Sequence, residues 1–160
     1  MAKKEDKTNV MRILEQKKIP YVPHTYPHGD EAVDGATVAA LLNQRPEQVF
    51  KTLVTRTAGN DFCVFVIPVE AELDLKKAAR CAGEKSVSML HVAELLPLTG
   101  YVRGGCSPVG MKKQFRTFFH ESALQEETIC VSGGRIGVQV EVQPEALAKL
   151  IRGRFGDLIR

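Results

Sequence analysis

The thirteen residues from Tyr101 to Lys113, Tyr-Val-Arg-Gly-Gly-Cys-Ser-Pro-Val-Gly-Met-Lys-Lys, constrain this chain more than any other stretch. Gly104, Gly105, Pro108 and Gly110 fall within seven residues of one another. Glycine is used where the backbone must take φ > 0 or let another group approach closely. Proline fixes φ and removes an N–H. A run holding both is neither an ordinary strand nor an ordinary helix. It reads either as a structural turn between strands or as a shaped loop whose amides face a guest. Met111-Lys112-Lys113 puts positive charge beside those amides, so such a guest is oxygen-rich or anionic.

A second glycine loop, Ser132-Gly133-Gly134, follows an apolar β-rich run. Two such loops beside strands can present several amides to one cavity, which is the material of an oxyanion or carbonyl site. Lys51 lies inside Val49-Phe50-Lys51-Thr52-Leu53-Val54. Strand residues alternate faces, so this lysine either snorkels to a sheet edge or faces a polar cavity. Cys106 sits in the central loop, but a nucleophilic cysteine needs a base and an orienting group, and the sequence offers neither. Ser107, before Pro108, reads first as a loop hydrogen bonder. His24, His28, His91 and His120 have no metal-ligand spacing, and each reads first as a surface or satisfied histidine. The four cysteines form no C-x-x-C pair, so no zinc or thioredoxin-type motif is present; in a reducing compartment they are free thiols. No cofactor or metal is implied.

At 160 residues the chain suits one domain spanning 1–160 with a real core. Its apolar runs are too short for a membrane span, and the start, Ala2-Lys3-Lys4-Glu5-Asp6-Lys7, does not read as a signal peptide. The expected location is the cytoplasm. A net charge of +3 permits contact with nucleic acid without demanding it. The basic ends, 2–7 and 152–160, read as solvated termini.

Val10, Ile13 and Leu14 recur at helical spacing behind a Thr8 or Asn9 cap and predict a helix ending before Pro20. Tyr21 to Tyr26 reads as a strand, and Asp34 caps a helix through Leu42. Val49–Arg56 and Phe62–Pro68 read as a hairpin about Ala58-Gly59-Asn60-Asp61. A helix carrying Leu75, Ala78 and Ala79 is ended by Gly83. A short helix over 91–96 precedes a strand at Tyr101-Val102-Arg103. Strands follow at 117–119, 128–131 and 137–142, and Pro144 opens a last helix through Ile151. The expected fold class is α+β: a mixed, partly barrel-like sheet surrounded by helices.

Val49-Phe50-Lys51-Thr52-Leu53, the loop Gly104 to Gly110 and Val131-Ser132-Gly133-Gly134 occur in that order, accompanied by His24-Thr25-Tyr26, Leu73-Asp74-Leu75-Lys76-Lys77 and the Asp157 region. Together they closely resemble the YbaK/EbsC family of aminoacyl-tRNA deacylases, related to the editing domain inserted in bacterial prolyl-tRNA synthetases. The likeness covers nearly the whole chain. It implies an enzyme that clears cysteine mischarged on proline tRNA, with the 3′ aminoacyl end of tRNA as substrate and prolyl-tRNA synthetase as a possible partner. It implies catalytic positions at Lys51, which holds the tRNA 3′ end, at Gly104 and Gly105, whose amides meet the aminoacyl carbonyl, and at Ser132. It further implies a pocket wall at Tyr26 and substrate contacts at Thr52, Ser107, Pro108, Gly110, Gly133, Gly134 and Gln139. Gln139 departs from the pattern, standing where the family often has aspartate; it can hydrogen-bond but cannot act as an anion or a general base. The implied nucleophile is the substrate's own thiol. Competing readings are a deacylase for another mischarged tRNA, such as Ala-tRNA, and a non-catalytic module that holds a nucleotide or tRNA end.

Overall fold

The uninterrupted apolar run Phe62–Pro68 forms strand β3 at the centre of the larger sheet. A strand covered on both faces reads as a continuous hydrophobic run, and Cys63 to Ile67 are each 0% exposed. Successive side chains point to opposite faces. Val64 and Val66 therefore join one core with Val10, Leu14, Phe119 and Leu147. Cys63, Phe65 and Ile67 join the other, with Ala78, Phe118 and Leu158.

These features belong to a computed structural model that describes residues 7–160. The basic run at 2–7 lies outside the described residues except for Lys7, whose ammonium donates to Glu15 at 2.7 Å. In chain order the other elements are α1 (Asn9–Gln16), β1 (Tyr21–Thr25), α2 (Gly35–Leu41), β2 (Phe50–Thr57), α3 (Leu75–Ala82), β4 (Val87–Met89), α4 (Val92–Thr99), β5 (Arg116–His120), β6 (Ile129–Ser132), β7 (Val138–Val142), α5 (Pro144–Ile151) and β8 (Arg154–Gly156). Three helix starts and one stop follow from single residues. The Thr8 hydroxyl accepts from the Met11 amide, Asp34 from Thr37, and Asp74 from Lys76 and Lys77. Gly83 ends α3 at φ 69°.

The larger sheet runs β4-β2-β3-β5-β8, and the smaller β1-β7-β6. β2 pairs antiparallel with both β3 and β4, whereas β3–β5 and β5–β8 are parallel. The two sheets meet at the parallel bridge Val49–Cys130. The architecture is the expected mixed α+β, but the sheets do not close into a barrel. Among the described residues no helix is long and apolar enough to cross a membrane.

Two expectations are corrected. Tyr101-Val102-Arg103 is not a strand. The Gly105 amide donates to the Val102 carbonyl at 2.9 Å and the Tyr101 hydroxyl donates to the Val109 carbonyl, so the segment folds on itself instead of lying along a neighbour. The C-terminal end is not a loose solvated tail either. It contributes β8, the bridge Leu73–Ile159 and the fully buried Leu158. Burying one such leucine stabilises by about 1.5–3 kcal/mol. Lys77 ties α3 to this end through Asp157 and the Ile159 carbonyl, both at 2.9 Å. Asp157 is exposed, so that ion pair ranks below the apolar anchor.

Candidate active site

Where the two sheets approach each other, the start of β2 borders a cavity of ≈ 130 Å³. Lys51 and Thr52 reach it from β2, Tyr26 from the end of β1, Ser132 from β6 and Gln139 from β7. Gly104 and Cys106 reach it from the central loop, and Val33 and Val38 from the segment around α2. Ser132 and Gln139 are direct partners in the β6–β7 register, which places both on one face.

Lys51 is half-buried. Burial pulls its pKa below the ordinary lysine value, opposed by the Glu72 carboxylate. Of the two readings of this lysine, the cavity is the one realised. Next to it, the Thr52 hydroxyl oxygen is buried and has no hydrogen-bond partner among the described residues. A buried polar group left unpaired costs about 1–3 kcal/mol, so this hydroxyl is well placed to bond a guest. The Ser132 hydroxyl accepts from the Gly134 amide at 3.2 Å and keeps its own proton to donate. Gln139 is 3% exposed and pairs reciprocally with Gln44: each amide donates to the other's carbonyl, at 2.7 and 3.1 Å. This neutral clasp leaves position 139 without an anion or a base. Cys106 lines the cavity, but burial pushes its thiol up to about 12. At neutral pH it is protonated, which is unlike an activated nucleophile.

Gly105, Gly133 and Gly134 act differently from the expectation that their amides face a guest. The Gly105 amide donates to Val102, Gly133 to the Val138 carbonyl at 2.9 Å, and Gly134 to Ser132. These three amides are satisfied inside the protein. What the glycines provide is close approach. A β-carbon on Gly105 would lie 2.9 Å from the Arg135 Cα and 3.0 Å from the Ile136 nitrogen. One on Gly104, at φ +86°, would lie 2.7 Å from the Ala32 side chain. The two glycine loops are packed onto each other, and of the four glycines Gly104 lines the cavity. Ser107, Pro108 and Gly110 serve the loop's interior. Ser107 is 0% exposed and accepts from the Val109 amide at 3.2 Å, and Gly110 lies against the Tyr101 hydroxyl and Ile13.

Sequence reading did not find Gln44, Val33 or Val38. Asp34 marked the start of α2, but nothing in a single sequence shows which sheet that helix covers. It also did not find that His24, Cys130 and Glu141 lie together, with potential ligand atoms within 4.8 Å of one another. They come from three neighbouring strands. His24 bonds the Glu141 carboxylate at 2.8 Å and Thr128 donates to its other oxygen at 2.5 Å, so the group reads as a satisfied chain on the sheet face.

Residues 30–150 match the family described as the aminoacyl-tRNA editing domain, and the chain belongs to that family. It is 46% identical over 160 residues to the protein named "Putative Cys-tRNA(Pro)/Cys-tRNA(Cys) deacylase EbsC" from Enterococcus faecalis, covering 99% of this chain and 98% of that one. Two solved structures share the fold. "Crystal structure of hypothetical protein APE2540" superposes with a TM-score of 0.85 at 21% identity, covering 96% of this chain and 100% of that one. "Crystal structure of a putative trans-editing enzyme for prolyl tRNA synthetase" gives 0.79 at 22% identity, covering 96% and 98%.

Proposed function

We propose that this chain is a trans-editing deacylase that removes cysteine mischarged on tRNA(Pro), with the aminoacyl group held in the cavity at the start of β2. The observation that carries the proposal is the convergence of Lys51, the unpaired Thr52 hydroxyl and the Ser132 hydroxyl on one small cavity, in a relative of a protein bearing that name. Lys51 supplies positive charge to the phosphate-bearing end of the tRNA. Thr52 and Ser132 have protons to donate to the ester oxygens. The protonated Cys106 leaves the chemistry to the substrate.

The cysteinyl ester carries its own nucleophile. Its thiol gives up a proton and the sulfur bonds to the aminoacyl carbonyl carbon. Collapse breaks the bond from that carbon to the ribose oxygen, which leaves as a hydroxyl after taking a proton. The cyclic thioester then adds water to give free cysteine. An intramolecular attack held in a productive pose recovers about 7–11 kcal/mol of barrier. Discrimination by size would be poor, because a methylene-sized difference gives only about 1–3 kcal/mol. A requirement for the substrate's thiol rejects alanine and proline outright. Prolyl-tRNA synthetase, by releasing mischarged tRNA(Pro), is the partner this role calls for.

Deacylation of Cys-tRNA(Pro), Ala-tRNA(Pro) and Ser-tRNA(Pro) tests the proposal. Loss of cysteine alone is expected. Equal loss of alanine or serine would mean a water-driven site of other specificity. No turnover of any of the three would favour a binding module.

A further inference from the structure

Two buried side-chain oxygens have no hydrogen-bond partner among the described residues, the Thr52 hydroxyl and the Ser122 hydroxyl. The first belongs to the cavity at the start of β2. The second stands at a separate cavity of ≈ 430 Å³. The two cavities share no lining residue, although Val69, between Pro68 and Glu70 of the second, lines the first. His120, at the end of β5, and Ser122, in the short helical turn Glu121–Gln125 that follows, reach the second cavity together. The connector before β2, the turn after β3 and the C-terminal end complete it.

His120 and Ser122 both offer donors. His120 is 7% exposed, and its Nδ1 accepts from the Leu158 amide, so the neutral ring carries its proton on Nε2. That bond to Leu158 is the only one the ring makes among the described residues. A free N–H and an unpaired buried hydroxyl suit an oxygen acceptor, which relieves the cost of leaving them unmade. The rim is acidic. Glu47, Glu70 and Glu126 set three carboxylates against the single guanidinium of Arg45, on a chain whose net charge is +3. Arg45 is held by Glu126 at 2.8 Å and stands 3.8 Å from Glu47. Glu70 is exposed and makes no ion pair among the described residues. Such a rim favours a cation and disfavours an anion. Pro46, Pro68 and Ile159 leave apolar surface for a hydrocarbon body, and the volume falls in the roughly 300–1,000 Å³ range of small-molecule sites. We propose that this cavity is a second binding site, for a small molecule that carries an ammonium group and a neutral carbonyl on a short apolar body, such as an amino acid amide or ester. The carbonyl oxygen accepts from the Ser122 hydroxyl and the His120 Nε2–H, and the ammonium lies toward Glu70. The site stands whether or not the first cavity edits tRNA.

L-Leucinamide, which has all three parts, is the probe. Titrated into the isotope-labelled protein, it should shift the backbone amides of 45, 47, 70–71 and 120–126 and bind with a Kd on the order of 1 mM. N-acetyl-L-leucinamide lacks the cation, isopentylamine lacks the carbonyl, and L-leucine replaces the neutral carbonyl by an anion. Each should bind more weakly, by roughly three- to tenfold. Ser122→Ala should weaken leucinamide binding by roughly tenfold, and Glu70→Gln by about threefold. Ser122→Ala should not lower the melting temperature, because the hydroxyl it removes has no partner; a serine with a purely structural role would lower it and leave binding unchanged. Shifts confined to 51–52, 104 and 132 would put the probe in the first cavity and overturn the second site. The absence of any shift at roughly ten times the expected Kd would mean a cavity filled by water only, and would overturn it too. Equal binding of the acetylated compound would remove the cation from the recognition and overturn the ligand class.

Discussion

Strand β2 and the central glycine loop border the same cavity but contribute to it in opposite ways. β2 contributes side chains, Lys51 and Thr52, from a strand that is paired with β3 along Phe50–Arg56 and with β4 at Thr55–Thr57. The loop contributes little beyond Gly104 and the Cys106 wall, because Gly105 holds loop against loop and Gly110 packs against Tyr101 and Ile13. A regular strand placed in the middle of a sheet fixes a functional group more firmly than a loop can. The difference teaches that the most unusual stretch of this sequence is a fastening, and that the proposed working part is a lysine in an ordinary-looking strand.

Removing each part should therefore give a different kind of loss. Lys51→Ala is expected to lower kcat/KM for Cys-tRNA(Pro) by about 10²-fold or more, the scale seen when one preorganised electrostatic contact is removed. Its melting temperature should stay close to the parent's, because the lysine's charge is held in a partly desolvated position that does not favour it. Parallel activity and melting measurements check this. A large fall in stability with intact activity would reverse the roles assigned to strand and loop.

Gly105→Ala is the converse. The new β-carbon would meet the Arg135 and Ile136 backbone at 2.9–3.0 Å, and backbone cannot rotate away. Overpacking of this kind costs about 1–3 kcal/mol, and in a chain of this size about 2–4 °C of Tm for each kcal/mol. Thermal unfolding reads it directly. Any loss of activity should follow the loss of folded protein. An activity loss without destabilisation would restore the Gly105 amide to the chemistry.

A third test contrasts the cavity with the closure of the C-terminal end. His120 is 7% exposed, and its Nδ1 accepts from the Leu158 amide at 3.2 Å. Burial, the first cause, lowers its pKa from the ordinary value. Asp157 and Glu121 oppose this and Lys77 adds to it. The unfolded imidazole binds its proton near pH 6.5, roughly the free value, and the folded one only at lower pH. Between those values the unfolded chain holds more protons, so stability falls as pH falls below about 6.5. The Tm should drop by a few degrees between pH 7.5 and 5.5, and His120→Gln should flatten that slope while leaving activity at neutral pH unchanged. A pH-independent Tm would mean that His120 does not hold the C-terminal end in the way described.

Much of the frame was legible in the sequence, because it rests on local rules. Thr8, Asp34 and Gly83 do the capping expected of them, and β3 has the bounds that its apolar run predicts. Lys51, Thr52, Ser132, Tyr26, Gly104 and Gln139 were named from motif and resemblance, and they do converge. What was not legible depends on partners far along the chain. β8 reads as a basic tail until Leu73 and Lys77, about eighty residues earlier, pair with Ile159 and Asp157. Gln139 reads as a weakened acid until Gln44, 95 positions away, proves to clasp it. The amides of Gly105, Gly133 and Gly134 read as free because a sequence shows which backbone positions are permissive but not which acceptors lie opposite them.

The smallest expected effect bears most directly on mechanism. Cys106 lies in the cavity wall and would be the obvious nucleophile by position. Position alone does not make one. Its thiol is pushed up to about 12 by burial, so the thiolate fraction near neutral pH is negligible, and attack by the neutral thiol is slow. Cys106→Ala removes only the sulfur. The single-turnover deacylation rate for Cys-tRNA(Pro) should change by less than about tenfold, about 1.4 kcal/mol of barrier, whereas replacing the substrate's cysteine by serine should abolish turnover. Complete loss on Cys106→Ala, in a protein that still melts normally, would make the protein thiol the nucleophile and the substrate's thiol incidental. It would also move the working part of the site from strand β2 back to the loop.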